Sequence, residues 1–600
     1  MLDLIWFSQN WLDSCNPVSF DSDPSPVCDG CDLDNNGIVD LSDYALFAVD
    51  WLAQVTVTDK YVNGNSGSDS NDGNSPSCPY KTIQKALDNM TASGTVYLME
   101  STFDSTTQGA NWYLTCDATN SGADIIIKPY QGASVTVRTQ SPYYCILVNG
   151  MTGGALTLED FTLQSEAADL SSTNGRGLIQ NREDVSLALS GMTLGDGTTG
   201  TQVGIYCRYN DKTTRDITLT DTALNVTDEG IIVQSCDEIS IDSGCSITSR
   251  GGSCIKTQPL SGVCYVSKVE IHRTRLNSQA IGGLYAIDLD NIYFDTSKEW
   301  ADLVRVDNCT VNSWGGGITC NQNVYVVLVR NNTVTINHEY DAAVGIRIGK
   351  DFPTNSYPHG MTIIYGNTVS FTGSSNSHGI LVGSGCDNAD CGYNHVSGGD
   401  IQLVVKGDGG QIHHNVLYGP RTLYSKEAQR TVFTHNTCYS TDGYAFKWIN
   451  NGTQDPDCCI VENNIFVLTC AAAADKAVLF NNDDNPFNCR FDYNCYYAPN
   501  GADISNLGGA RASLAELQAA WASYDFGFPD NDSHSKETDP QLTDPAGGEF
   551  TLQPGSACFN TARPTPDGGY VSIGAWQARQ AGRAPTVPAP LVGSPITGAF

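Results

Sequence analysis

Basic residues are scarce in this chain of 600 residues. There are 32 Lys and Arg against 66 Asp and Glu, which gives a formal net charge of −34. Because a surface of that sign repels nucleic-acid phosphates and anionic membranes, the composition excludes a general nucleic-acid-binding protein. Long apolar runs are also missing, and all are far shorter than the ~18 residues that a membrane-spanning helix needs. No membrane span is therefore expected.

Zinc-type cysteine spacing is absent as well. The chain has 22 cysteines, but only Cys28 and Cys31 form a CxxC pair, and this pair flanks an acidic loop. So many cysteines without metal spacing are typical of an oxidising compartment, which predicts an extracellular protein with disulfides of undetermined connectivity. The chain nevertheless opens on Met1-Leu2-Asp3, without the basic region of a secretory signal. We therefore expect Met1 to be internal to a longer reading frame.

A short duplication marks the N-terminal segment. Residues 3–12 repeat at 43–52 with Asp, Phe, Trp and Leu at identical places, which predicts a duplicated helix. An acidic loop with Gly37 at its sixth position precedes the second copy, and its spacing is that of a calcium-binding loop rather than of a merely acidic turn. The predicted Ca²⁺ ligands are Asp32, Asp34, Asn36, the backbone carbonyl of Ile38, Asp40 and Asp43.

On these residues the segment 1–54 resembles the dockerin type I module, a pair of calcium-loop-helix units. The resemblance implies a cohesin-like or cell-surface partner. One feature departs from the pattern, because the first copy begins at its helix and its loop would lie upstream of Met1. A complete pair of calcium sites is therefore not expected within these residues.

The body of the chain repeats one short phrase, an alternating apolar strand followed by a polar turn. Between residues 156 and 498 the phrase recurs every 21 to 35 residues, without leucine-rich or propeller spacing, which predicts an all-β solenoid. The later copies all carry Asn at the turn, and stacked side-chain amides would explain it. These residues are Asn332, Asn367, Asn394, Asn415, Asn436, Asn464 and Asn494.

Two further segments would close the ends of the solenoid. Residues 79–88 have helical spacing, with Ile83, Ala86 and Leu87 on one face, and such a helix could cover open strand edges. With the phrases at 539–556 and 573–576, the pattern resembles the right-handed parallel β-helix proteins of the pectate-lyase-like superfamily. The resemblance implies a β-helix over residues 60–577, followed by a Pro/Ala/Gly-rich tail at 578–600, but it does not select an activity.

Candidate chemistry concentrates between residues 338 and 450, which hold seven of the nine histidines. Lys406, Lys426 and Lys447 are spaced at about one coil, as are His414 and His435, so each set is expected to stack. β-Elimination of a uronate polymer needs cations for the carboxylate, a base for the C5 proton and an acid for the leaving oxygen. The predicted catalytic set is Lys406, His414, Arg421, Tyr424 and Lys426.

Two alternatives remain open from the sequence. A glycoside hydrolase would need two facing carboxylates, for which Asp400, Asp408, Glu427 and Asp442 are available. In a non-catalytic surface protein, adhesin or fibre, the same lysines and histidines would be ordinary solvent-facing residues on the side of a rod-shaped β-helix. The preferred hypothesis is a secreted polysaccharide-binding protein that cleaves an acidic glycan by elimination; its assembly state is not predicted.

Overall fold

The computed structural model shows a right-handed parallel β-helix, as predicted. It describes residues 58–100, 102–141, 143–166, 169–170, 177–198, 200–207, 214–258, 265–280, 284–289, 301–321, 324–337, 342–349, 360–373, 376–449, 458–470, 475–480, 488–523, 528, 530–563 and 572–574. Each regular coil contributes one strand to each of three sheets, here called sheets one, two and three in the order in which the chain passes through them. The dockerin-like segment 1–54 and the tail 578–600 lie outside the described residues.

Sheet one contains the strand that precedes each polar turn, and its neighbours pair in parallel. Its strands are Lys60–Val62, Gly94–Leu98, Asp124–Pro129, Ala155–Glu159, Ser186–Ser190, Thr214–Thr220, Ser235–Ile241, Tyr265–His272, Ala301–Asp307, Val324–Arg330, Met361–Tyr365, Asp390–Gly392, Gln411–His413, Val432–Thr434, Ile460–Glu462 and Arg490–Asp492.

Sheet two follows the turn, and sheet three follows sheet two. The strands of sheet two are Thr102–Phe103, Val135–Thr139, Phe161–Ser165, Thr193–Leu194, Ala223–Val226, Ser246–Ser249, Arg275–Ser278, Thr310–Ser313, Thr333–Ile336, Thr368–Phe371, His395–Ser397, Ile465–Leu468, Cys495–Tyr497 and Lys536–Glu537. Those of sheet three are Leu114–Cys116, Ile146–Val148, Ile179–Asn181, Ile205–Cys207, Ile231–Val233, Ile255–Thr257, Tyr285–Leu289, Gly316–Cys320, Val344–Ile348, His378–Val382, Ile401–Val405, Lys476–Phe480 and Asp503–Ser505. Two long strands, Val416–Lys426 and Thr437–Ile449, run through both sheets.

Alternation along each strand fills the interior of the coil. Ile346, Ile380 and Leu403 of sheet three pair at the same level in successive coils, and each is fully buried. Burying one such side chain contributes about 1.5–3 kcal/mol. The continuous interior column is therefore the main stabilising feature of the fold.

Seven asparagines form the predicted ladder at the turn between sheets one and two. The Asn394 amide nitrogen donates to Asn415 Oδ1 at 2.9 Å, and that of Asn415 donates to Asn436 Oδ1 at 3.0 Å. Each amide also donates to a strand carbonyl of the preceding coil, as Asn415 does to Cys391 at 2.9 Å. All seven are buried, so the structural interpretation of these asparagines is confirmed.

Helices cover both ends of the coil stack. The short helix Ile83–Leu87 is capped by Thr82 and buries Ile83, Ala86 and Leu87, as predicted. At the other end, the helix Leu514–Ser523 buries Trp521 against Phe491, with ring centroids 5.1 Å apart. The Trp521 indole N–H donates to Asp532 Oδ2 at 2.8 Å. This second cap was not predicted from the sequence.

The remaining elements are small. They are the helix Ser105–Gln108, the 3-10 turns Ala118–Asn120, Tyr130–Gly132 and Pro545–Gly547, the parallel pair Asp169–Leu170 and Thr201–Gln202, and the antiparallel hairpin Leu542–Asp544 with Glu549–Leu552. In the described part of the chain, no helix has the length and hydropathy needed to cross a membrane.

Cysteines serve mainly as core side chains. None of the cysteines that the structure describes forms a disulfide, and most are buried. Burial raises the pKa of the Cys207 and Cys438 thiols to about 12, so both stay protonated at neutral pH. For these residues the high cysteine count reflects packing, and the predicted extracellular location remains a prediction.

Candidate functional site on the outer face of sheet three

Cationic and aromatic side chains gather on the outer face of sheet three. Leu403 and Leu423 point into the core, which places their strand neighbours Val404 and Tyr424 outward. In parallel register, Val404, Tyr424 and Lys447 occupy one outward row across three coils. We call the following residues the basic patch: Lys406, Arg421, Tyr424, Lys426, Tyr444 and Lys447.

The basic patch lies where the coils are shortest. Asn394, Asn415 and Asn436 are spaced 21 residues apart, and the strands Val416–Lys426 and Thr437–Ile449 cross from sheet two to sheet three without a loop. Only five residues separate Val405 from Gln411, whereas twelve separate Ile348 from Met361. Short connections leave little chain to cover the outer face, so the patch lies between coils with longer connections.

The side chains of the patch contact one another. The Lys447 ammonium lies 5.5 Å from the ring centroid of Tyr424 and 5.6 Å from that of Tyr444. Arg421 donates to Asp400 Oδ2 at 3.1 Å. Burial, followed by the neighbouring Tyr424, raises the pKa of Tyr444, so its hydroxyl stays protonated. The patch therefore combines fixed positive charge with phenolic O–H groups.

The predicted three-lysine column is wrong in its register. Lys406 and Lys426 directly follow the paired residues Val405 and Ser425, so they stack in adjacent coils. Lys447, however, pairs with Tyr424, and Ile449 pairs with Lys426. The cause is a shift at the corner between sheets two and three: Gly419 pairs with Ser440, but Arg421 pairs with Tyr444, so the later coil holds two extra residues there.

His414 does not lie on this face. It follows the sheet-one strand Gln411–His413, so that strand separates it from Lys406, and its φ of 54° places it in the left-handed region. Its ring stacks on Tyr393 at 4.6 Å and on His435 at 4.8 Å. Burial, and then the charges of His435 and His413, lower the pKa of His414 to about 3, so its imidazole is neutral. The structure thus brings together four of the five predicted residues: Lys406, Arg421, Tyr424 and Lys426.

A different histidine takes the place expected for His414. His378 pairs with Ile401, which pairs with Arg421, so His378 lies two ladder steps from Arg421 in the same outward row. At ~4.8 Å per step this is roughly 10 Å. Arg347 lies on the same face, in the row of Leu381, Val404 and Tyr424. The sequence placed His378 in the histidine-rich segment, but only the strand register assigns it to this face.

Asp400 and Asp408, two of the four carboxylates proposed for hydrolysis, do not face each other across the patch. Asp400 directly precedes the strand Ile401–Val405 and pairs with Arg421, whereas Asp408 follows that strand and lies 3.8 Å from Arg430. The strand between them spans roughly 16 Å at ~3.3 Å per residue. Glycosidases hold their two carboxyl groups within about 10 Å. This pair therefore does not support hydrolysis.

Metal ligation has one candidate group in the described part of the chain. Oxygen atoms of Asp442 and Asp475 and the sulfur of Cys470 all lie within 4.8 Å of one another, next to the basic patch. The predicted calcium ligands Asp32, Asp34, Asn36, Ile38, Asp40 and Asp43 lie outside the described residues. The calcium loop stays a prediction.

Comparison with known proteins adds no family to this description. No family model matches the chain, and no curated protein matches it in sequence. Similar solved structures include XylC in complex with xylose (10% identity, 86% of this chain and 95% of that chain covered, TM-score 0.32). Others are the GH136 lacto-N-biosidase from Eubacterium ramulus (12%, 78% and 69%, TM-score 0.25) and the pectate lyase Pel9A (13%, 87% and 97%, TM-score 0.23). Likenesses with such low TM-scores establish no activity for this chain.

Proposed function

We propose that this protein is an extracellular polysaccharide-active β-helix protein that binds an acidic glycan on the outer face of sheet three. One observation carries the proposal: a chain of net charge −34 gathers Lys406, Arg421, Lys426 and Lys447 on one face, next to two tyrosines. Cationic side chains neutralise carboxylates or sulfates, and aromatic rings stack on sugars. The N-terminal module would attach the protein, through Ca²⁺, to a cohesin-like or cell-surface partner.

The proposed reaction is β-elimination of a uronate polymer. Arg421 and Lys447 neutralise the uronate carboxylate, which acidifies the neighbouring C5–H. Lys406 and Lys426 add to the positive charge around the carboxylate. A neutral His378 takes the C5 proton, and the electron pair forms the C4=C5 double bond as the C4–O bond breaks. Tyr424 donates a proton to the leaving oxygen. Every atom is accounted for without a redox partner, and the product is an unsaturated uronate.

Ultraviolet absorbance of the unsaturated uronate tests this proposal directly. We expect the full chain with added calcium to produce such absorbance from at least one member of a panel of galacturonate, mannuronate and glucuronate polymers. The variants Arg421→Ala and Lys426→Ala are expected to lower kcat by about 100-fold, because each removes a charge that stabilises the enolate. Arg273→Ala is a matched control, since Arg273 is an exposed cation at the end of a sheet-one strand.

Two results would count against elimination. Full activity in both patch variants would show that the catalytic residues lie outside the basic patch. Binding of uronate polymers without new absorbance or new reducing ends would instead favour the non-catalytic alternative, an adhesin or structural surface protein.

A further inference from the structure

A second cluster of polar side chains lies on the outer face of sheet three, in its N-terminal half. Lys256, Asp288, Thr319, Arg347, Leu381, Val404 and Tyr424 form one continuous outward row. Lys256 is therefore six ladder steps from Tyr424, or roughly 29 Å at ~4.8 Å per step. The two clusters are separate places on one long face.

Glu229 is the central residue of this second cluster. Its side chain is only 9% exposed, Oε1 lies 3.6 Å from the Lys256 ammonium, and Oε2 has no hydrogen-bond partner. Gly252 packs against Glu229, because a Cβ at that glycine would lie 2.5 Å from Glu229 Cγ. A buried carboxylate oxygen without a partner costs about 1–3 kcal/mol or more, and a ligand hydroxyl would remove that cost.

Neighbouring coils supply further unpartnered polar atoms. Ser253 occupies the position equivalent to Glu229 in the next coil, since Gly230 N donates to the Ser253 carbonyl, and the Ser253 hydroxyl has no partner. Past the ends of their sheet-three strands, Gln234 and Gln258 each hold a side-chain oxygen without a partner. The Gln234 amide nitrogen donates to the Tyr206 hydroxyl at 2.8 Å, which orients that side chain.

The mixture of these groups selects the ligand class. A cation site would contain only acceptors, and an anion site only donors, whereas this cluster alternates acceptors with Lys256 and Ser253. Tyr206 and Ile232 lie in the same outward row, but both side chains are buried, so the polar groups would make the ligand contacts. Groups that both donate and accept hydrogen bonds suit the hydroxyls of an uncharged sugar.

We propose that Glu229, Lys256, Ser253, Gln234 and Gln258 form a second glycan-binding site, which takes uncharged, hydroxyl-rich sugar residues. The site is independent of the proposed elimination reaction, and it would let the long face hold a glycan that has both charged and uncharged segments. Burial, and then the neighbouring Asp228, raises the pKa of Glu229 to about 7, although Lys256 opposes the shift. The carboxyl group can therefore donate or accept near neutral pH.

Calorimetric titration of the full chain with cellohexaose, xylohexaose and mannohexaose tests the second site. We expect at least one hexamer to bind, and we expect Lys256→Met and the double variant Gln234→Leu/Gln258→Leu each to weaken its affinity about tenfold, the effect of losing one or two hydrogen bonds. Lys426→Ala should leave this affinity unchanged, because it alters only the basic patch.

Two outcomes would overturn the second site: no binding of any hexamer to the folded chain, or equal loss of affinity in Lys426→Ala. A melting curve for each variant shows whether it folds. Lys256 is 24% exposed, so its variant decides the question if the glutamine variant is unstable. The hexamers are uncharged, so an absence of hexamer binding would not contradict the elimination proposal. An absence of elimination activity would likewise not contradict hexamer binding at the second site.

Discussion

Replacing Asn415 by alanine is expected to lower the free energy of unfolding by about 3–5 kcal/mol. The buried amide donates to the Cys391 carbonyl at 2.9 Å and to Asn436 Oδ1 at 3.0 Å. Its own oxygen accepts from the backbone and side-chain nitrogens of Asn394 at 3.0 and 2.9 Å. Alanine would leave these partners buried and unpaired in the middle of the ladder. Chemical denaturation followed by circular dichroism measures the change.

Asn65→Ala is the matched control for the ladder variant. Asn65 is exposed, and its side chain donates one hydrogen bond, to Glu100 at 2.7 Å. We expect a loss below about 0.5 kcal/mol for this surface change. If Asn415→Ala were no less stable than the Asn65→Ala control, the ladder would not stabilise the fold as described.

Acid is expected to destabilise the protein through His414 and His435. Burial is the main cause that lowers their pKa values to about 3 and about 4, from an ordinary value near 6.5. The unfolded chain therefore takes up protons as the pH falls below about 6.5, while the folded chain does not. The stability that this pair contributes is fully present above about pH 6.5 and is lost progressively as the pH falls to about 3. One pKa unit corresponds to about 1.4 kcal/mol, so the pair accounts for several kcal/mol.

The double variant His414→Asn/His435→Asn isolates this effect. Asn331 and Asn463 occupy the equivalent turn positions in other coils with φ of 54° and 61°, so asparagine suits this backbone. Its denaturation midpoints should vary less between neutral and mildly acidic pH than those of the parent chain. Glu229, whose raised pKa acts in the opposite direction, is present in both. If the denaturation midpoints of the two proteins changed with pH in the same way, the histidines would not titrate as described.

Local pattern predicted the ladder and the N-terminal cap, because both depend on spacing within one or two coils. Asn recurs at one place in each unit, and Ile83, Ala86 and Leu87 lie one helical turn apart. The register across coils was harder to predict. Two extra residues near Asp442 move Lys447 opposite Tyr424, although the spacing of 21 residues had suggested Lys426.

Burial explains the other differences from the sequence analysis. His414 and the patch residues lie close in sequence. The backbone turn at His414, however, directs its ring onto Tyr393 and away from sheet three. Glu229 belongs to no motif, and its importance arises only from Gly252 and Lys256 in the next coil. Because the coils differ in length, the sequence alone does not show which residues of adjacent coils contact each other.

Binding of hexagalacturonate provides the most direct test of the central claim, that the outer face of sheet three binds an acidic glycan. Titrations would compare the parent chain with Lys406→Glu/Lys426→Glu and use the fully methyl-esterified hexamer as the uncharged control. We expect the charge reversal to weaken binding of the acidic hexamer by at least about tenfold, to reduce its salt dependence, and to leave the esterified hexamer unaffected. Unchanged affinity for the acidic hexamer in the folded variant would contradict the account.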